Sequence, residues 1–380
     1  MSESPYHSFG EQALHYFRRD HEGPCRLPIE GPAAWRGAEL FDDARFVERI
    51  GPEEIAELER AVAAVRGRGL ALAQVHREDF PLPTLCRRAA RWSSELVDGR
   101  GFLVLRGLPV ERWGDDDSAL AYWGLGLHLG TPGAQNPAGD LLGHVRDMGE
   151  EASHPNVRRY RTAGEIAYHC DLADAVGLLC LRTARAGGRS RIASSVSVYN
   201  ELLARRPDLV DRLYEPFQLD VRDEQGTGGP RTIPVPPCRY AGGRLRTFYH
   251  SDYFRSAERH PDVARLTSHE RELLDLYEEI ARSPELALEM DFLPGDVQLL
   301  SNHVVVHART AYEDDPGPGR ERHLLRLWLS LPPPAARPGT PIGEPSTRGA
   351  GSPEADPGSV VPRSADAASA SSPTTPPAGS

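Results

Sequence analysis

The chain contains no lysine: all 44 of its basic residues are arginine. Enzymes that form Schiff bases, use pyridoxal phosphate or grip nucleotide phosphates with a P-loop need a lysine amine at the reacting position, so those classes are excluded. Cysteine is scarce as well. Cys25, Cys86, Cys170, Cys180 and Cys238 are odd in number, widely spaced and without a CxxC pair, which argues against a disulfide framework and against a zinc ribbon. Also missing is any apolar run of about eighteen residues, the minimum for a membrane-spanning helix. The first residues (MSESPYHSFGEQALHYFRRD) lack the basic flank and apolar stretch of a secretion signal. These absences predict a cytoplasmic protein with reduced thiols and no membrane partner. Net charge is −11 and the arginines are interspersed with acids rather than gathered in a stripe. A small molecule, not nucleic acid, is the expected partner.

What is present suits one domain over residues 1–330, because 380 residues with 39% hydrophobic content can build a sizeable core. From Pro332 to Ser380 the composition shifts to Pro, Ala, Ser, Gly and Thr. Such a segment buries too little apolar surface to offset its ordering entropy, and a disordered tail is expected at 332–380. The N-terminal part, about 40–130, reads as largely helical. Gly51–Gly69 carries an early proline, acids in the first turn and Ile55, Leu58, Val62 and Val65 on one stripe. Further helices are expected over Leu85–Val97 and over DDDSALAYWGLGLHLG, with the strand GFLVLRGL between them.

From about Leu141 short strands take over: LLGHVRDM, VGLLCLRT, RSRIASS, RTIPVP, RLRTFYH, ALEMDF, DVQLLSN and RHLLRLWLSL. Their number suits a mainly β fold with flanking helices, a jelly-roll core over about 100–331. Helices near Val198–Leu213 and after Thr267, where Thr267 and Glu270 form a capping box, interrupt the series.

The stretch IAYHCDLADAVGLLCLRT (166–183) sets His169 and Asp171 one residue apart ahead of an apolar strand. On a strand, residues i and i+2 project the same way and can grip one ion. His-x-Asp/Glu occurs four times, at His76, His169, His250 and His260. His76 and His260 lie in polar surroundings and read as surface. His250 with Asp252 ends a strand and is a competitor, the basis of an alternative cupin-like metal site. Only His169 leads into a near-continuous apolar strand followed by the Gly187-Gly188 turn and Ser190. Downstream, NHVVVHAR delivers His307 at the end of an apolar run, and RHLLRLWL displays Arg322 and Arg326 on one strand face.

These segments, HCD…GGRS and NHVVVHAR…RHLLRLWL, resemble the Fe(II)/2-oxoglutarate-dependent dioxygenases of the TauD/TfdA family, which share the double-stranded β-helix of clavaminate synthase. The resemblance spans roughly 100–331. It implies that His169, Asp171 and His307 are a two-histidine, one-carboxylate triad for non-haem iron, Fe(2+). It further implies that Arg322 forks onto the distal carboxylate of 2-oxoglutarate, with Ser190 in the place of the family's threonine. A planar guanidinium suits that carboxylate, because its fork makes two parallel charge-assisted hydrogen bonds. The oxidation then belongs to iron, 2-oxoglutarate and O2 rather than to a side-chain acid or base. Related halogenases replace the carboxylate ligand with Gly or Ala, so Asp171 points to hydroxylation or another oxygen-derived outcome.

Around this centre, Arg326 reads either as a salt-bridge partner or as a contact to an anionic substrate group. Tyr168, Gln135 and Asn136 are candidates for lining the substrate pocket, although a Gln-Asn pair in a loop is also ordinary turn chemistry. Cys170 reads as a core thiol, His303 as a local hydrogen-bonder and Arg309 as a structural neighbour of the iron. A small molecule such as an amino acid or a secondary-metabolite intermediate is the expected substrate. A non-catalytic jelly-roll binding protein is the alternative from another class.

Overall fold

The computed structural model describes residues 4–40, 44–150, 158–224 and 228–333. The expected disordered tail lies, from residue 334 onward, outside the described residues. In chain order the elements that position the site are α1 (Phe9–Phe17), β1 (Val47–Arg49), α2 (Pro52–Gly67), α3 (Leu85–Asp98), β2 (Phe102–Arg106), α4 (Val110–Leu129), β3 (Thr131–Gly133) and β4 (Leu142–Val145). They continue with β5 (Ile166–His169), β6 (Ala175–Arg182), β7 (Ser190–Ser194), α5 (Ser195–Arg205), α6 (Ser268–Arg282), β8 (Leu288–Met290), β9 (Val297–Ser301), β10 (Val305–Arg309) and β11 (His323–Ser330).

Two sheets form the jelly roll. The larger runs β1-β2-β9-β6-β11-β3, with β4 paired to the other end of β11; the smaller runs β8-β7-β10-β5. β1 and β2 are parallel, and the remaining pairs are antiparallel. Because side chains alternate along a strand, β11 divides its residues cleanly. Leu325, Leu327 and Leu329 join the outer cluster with Leu58, Leu85 and Trp123 of the helical layer, while Leu324, Arg326 and Trp328 turn inward. The helical layer can approach closely because Gly126 on α4 stands against Leu327, where a Cβ would collide. At one end the space between the sheets is filled by Phe102, Val176, Ile192, Leu288, Leu300 and Val305. Behind the smaller sheet, α5 and α6 bury Tyr199, Leu202, Leu273 and Tyr277.

The predicted elements correspond to these, except that RTIPVP and RLRTFYH pair in two small separate hairpins outside the jelly roll, with local differences elsewhere. Helix α4 begins at Val110, and Gly114 (φ 73°) breaks its path, so the three aspartates head its longer second segment. The helix expected over Val198–Leu213 runs Ser195–Arg205 and is broken at Arg206 (φ −142°, ψ 70°), just before Pro207, before short helical turns at Pro207–Val210 and Asp211–Tyr214. Helix α1 was not expected. It is set by a complete Ser8–Glu11 capping box.

Candidate metal centre and substrate cavity

His169 closes β5, and Asp171, two residues on, projects to the same side. β10 runs antiparallel to β5 with His307 directly opposite His169, so the two imidazoles meet across the ladder with ring centroids 4.1 Å apart. His307 Nε2 lies 3.6 Å from Asp171 Oδ2. One ligand atom from each of the three residues falls within 4.8 Å of the others, and among the described residues no other cluster of metal-ligating side chains does this. The tight Asn302–Val304 turn between β9 and β10 supports the arrangement, because Asn302 Oδ1 accepts from the Asp171 backbone N–H at 3.0 Å and its amide donates to Ala173 O at 2.9 Å.

The donor set fits a cation. His169 Nδ1 is engaged by Ala167 O at 2.9 Å, which leaves Nε2 free to ligate. Asp171 Oδ1 accepts from Arg326 Nη1 at 3.0 Å, whereas Oδ2 is buried with no partner among the described residues. An orphaned buried carboxylate oxygen is costly unless an ion satisfies it. Burial would raise the Asp171 carboxyl, but Arg326, His307, His169 and Arg158 outweigh it and hold it below the usual carboxylate range. Burial, with His169 and Arg326, pushes His307 down to about 3, which keeps its imidazole in the neutral, ligating form.

On one side of the triad a cavity of about 50 Å³ is lined by His307, Ser190, Arg309, Arg322 and Arg326. Arg322 is buried; among the described residues its Nη1 has no partner and its Nη2 makes only a long bond of 3.4 Å to Gly188 O. Gly187 and Gly188 both adopt left-handed φ, +74° and +69°, and a Cβ on Gly188 would stand 2.8 Å from Arg322 Nε. The Gly-Gly turn therefore makes room for the guanidinium. Arg309 flanks the same space: Nη2 donates to Thr162 O, while Nε and Nη1 are unpartnered, and both guanidiniums lie against the Tyr312 ring. Burial pushes Arg309 down to about 10 and lowers Arg322 as well. Two buried cations with unmade hydrogen bonds match a carboxylate-bearing ligand.

On the other side lies a cavity of about 200 Å³, lined by His169, Asp171, Tyr160, His250, Arg326 and Trp328 and walled by residues of α1. His250 stacks on Tyr253 and packs beside His169, and burial drives its imidazole well below its ordinary range.

The predicted residues fall as follows. His169, Asp171 and His307 converge. Arg322 shares the smaller cavity with Ser190, whose Oγ donates to Gln298 Oε1 at 2.9 Å. Arg326 borders both cavities and is sandwiched between the Tyr160 and Trp328 rings. Gln135 is not a pocket residue: it is buried, accepts from Arg326 Nε at 2.8 Å and donates to Arg326 O at 2.7 Å, so it holds Arg326 in place. Asn136 is likewise no pocket residue, since its amide is tied to Asp140 within its own loop. Tyr168 belongs to the buried cluster that includes Tyr199 and Tyr277 and also borders the larger cavity, as expected. His250 and Asp252 form no metal site; Asp252 pairs with Arg159 at 3.2 Å. His260 is a correction to the surface assignment: it is buried and bonded to Asp220 at 3.2 Å. Cys170 is a buried thiol and His303 bonds Asp174 at 2.7 Å, both as expected. Among the cavity residues Tyr160 has no reading from the sequence, His250 was read as a rival metal ligand and Arg309 as a structural neighbour of the iron, which its place in the smaller cavity matches. Arg309 had a signal, since it follows His307 at i+2 and shares its strand face.

Fold and centre together define a jelly-roll non-haem iron oxygenase. The family described as "Taurine catabolism dioxygenase TauD, TfdA family" matches residues 66–328, and the chain belongs to it. It is an Fe(II)- and 2-oxoglutarate-dependent dioxygenase. FR-33289 synthase of Streptomyces rubellomurinus is 33% identical over 315 residues, covering 80% of this chain and 91% of that protein. The taurine hydroxylase-like protein SAT17 of Stachybotrys chartarum is 29% identical over 309 residues, 77% of each chain. Among solved structures, asparagine oxygenase in complex with Fe(II), 2S,3S-3-hydroxyasparagine and succinate superposes with a TM-score of 0.59 at 20% identity, over 76% of this chain and 94% of that one. Among the described residues no helix is long and apolar enough to cross a membrane.

Proposed function

We propose that the protein hydroxylates a small molecule bearing an anionic group, such as an amino acid or a secondary-metabolite intermediate, with release of succinate and CO2. The reading rests on one observation: a small cavity carrying two under-bonded arginines and a larger cavity bordered by Arg326 both open onto His169 and Asp171. Cosubstrate and substrate thus have separate seats, both beside His169 and Asp171.

His169, Asp171 and His307 hold the iron, which with 2-oxoglutarate and O2 supplies the oxidising power for C–H chemistry. Arg322 orients the distal carboxylate of 2-oxoglutarate, Ser190 lies beside it and Arg309 offers two further donors. Arg326 keeps Asp171 in its ligating orientation through Nη1 and is fixed by Gln135 through Nε, so Nη2 is its remaining donor for a substrate anion. The apolar walls exclude water from the reacting carbon. A synthase among the relatives and hydroxy amino acids bound in fold neighbours are in keeping with this substrate class. Five unpaired cysteines accord with a cytoplasmic location, and the scattered arginines with a small-molecule partner rather than nucleic acid.

The test is succinate release by the iron-loaded protein on exposure to air with 2-oxoglutarate, compared with Arg322→Ala. The wild type is expected to form succinate and the variant to lose at least 90% of it at limiting 2-oxoglutarate. Equal release by both, or none by the wild type with any candidate substrate, overturns the reading.

A further inference from the structure

One wall of the larger cavity comes from outside the region that the family shares. The family match begins at residue 66, yet Phe9, Gly10, Ala13 and Phe17 of α1 line the cavity. Phe9, Ala13 and Phe17 recur every four residues and so occupy one helix face. The adjoining face is bolted to the β core. Tyr16 Oη donates to Thr247 O and Asn302 O at 3.1 and 3.0 Å, Gln12 accepts from Ser330 Oγ at 3.0 Å, and His15 bonds Asp174 at 2.7 Å. His7, just before the helix, pairs with the β3 edge.

The two faces differ in burial. Gln12 and Tyr16 are fully buried, whereas the apolar Phe9, Ala13 and Phe17 stay partly exposed, open to the cavity. A helix fixed by polar anchors on one side, with its apolar face turned to an open space, is a rigid wall for an apolar ligand surface. Leu172, Leu219, Phe248 and Trp328 continue that surface around the cavity, while Arg326 and His250 stand beside the triad and Arg158, Asp220, Glu224 and Asp252 add charged groups elsewhere on its lining.

We infer that α1 is a specificity element: the substrate is a small amphiphile whose anionic end lies at Arg326 and whose hydrocarbon body lies along Phe9, Ala13 and Phe17, which limit its length. The inference rests on the reading of Arg326 as an anion contact.

The test uses the full chain loaded with Mn(II) and saturated with 2-oxoglutarate, titrated calorimetrically with n-alkyl monocarboxylates from butanoate to decanoate. Each methylene buried on the wall is expected to tighten binding about fourfold until the chain reaches its limit. Ala13→Leu is expected to bring that limit at a shorter chain and Phe9→Ala at a longer one. Opposite shifts cannot come from a general loss of stability. Affinity independent of chain length, or a limit that ignores both substitutions, overturns the inference. The matching 1-alkanols separate it from the anion reading. Weaker binding of every alcohol supports charge recognition at Arg326. Equal binding of acids and alcohols sinks that reading and leaves the length limit set by α1 standing.

Discussion

Arg326 Nη1 donates to Asp171 Oδ1 at 3.0 Å, and Asp171 Oδ2, the oxygen facing His307, is left bare. The arginine thus fixes which carboxylate oxygen is available and compensates its burial. Partners of this kind, behind a ligating side chain, change metal affinity by about 10–100-fold when removed. Arg326→Leu is therefore expected to weaken Mn(II) binding by about that factor in a direct titration, even without substrate. An unchanged affinity refutes the positioning role. Gln135→Leu, which strips Arg326 of one hydrogen bond at each end, is expected to give a smaller loss in the same direction.

Gly188 provides a second, independent handle on the smaller cavity. A methyl group there would crowd Arg322 Nε at 2.8 Å on a backbone already at φ +69°, so Gly188→Ala must move the guanidinium, the turn, or both. Charge-assisted bonds are worth about 1.5–3 kcal/mol each, so the dissociation constant of 2-oxoglutarate is expected to rise at least tenfold. Metal affinity should barely change, because Gly188 touches none of the triad. A variant with normal 2-oxoglutarate affinity argues that Arg322 is not the anchor.

Much of the centre was legible because its signals are local. An i, i+2 pair before an apolar strand places His169 and Asp171 together by strand geometry alone, and the apolar run ahead of His307 marks a second buried strand. Gln135 was not legible: TPGAQNP reads as turn chemistry, and the partner that buries Gln135 is Arg326, 191 residues away. His260 misled for the same reason, since a polar RHPD segment gives no sign of an acid, Asp220, waiting in the core. Helix α1 carried a readable start, Ser8 with Glu11, but nine residues offer too few turns for the periodicity to stand out.

Asp174 is the hub that joins α1 to the core. Its carboxylate receives His303 and His15 at 2.7 Å, the Leu331 backbone N–H at 2.8 Å and the half-buried Arg19 at 3.4 Å. Burial opposes ionisation, but these donors outweigh it and hold the carboxyl far below its usual range. Asp174→Asn keeps the size but removes the charge that buried Arg19 faces and one of the oxygens that accept from its partners. Breaking a buried ionic network costs about 3–5 kcal/mol, and urea denaturation is expected to show a loss of that order. A change below about 1 kcal/mol would mean that the hub is replaceable.

The last prediction concerns acid. Burial, with Arg19 nearby, pushes His303 down to about 3; burial, with His144 and Arg182, pushes His323 down to about 4. Both are neutral in the fold, whereas in the unfolded chain they take up protons below about 6.5. The unfolded state then binds more protons than the native state, so the stability they confer is complete above about pH 6.5 and drains away as pH falls toward 4. Two such groups give a slope of about 2.7 kcal/mol per pH unit around pH 5. The level of stability is a poor test, because any core substitution lowers it; the slope is a good one. In His303→Asn/His323→Asn, unfolding free energies measured by urea between pH 4.5 and 7 are expected to fall less steeply than in the wild type, by about two protons. An identical slope would show that these imidazoles already carry protons in the native protein, and that His303 is bonded to Asp174 as a cation.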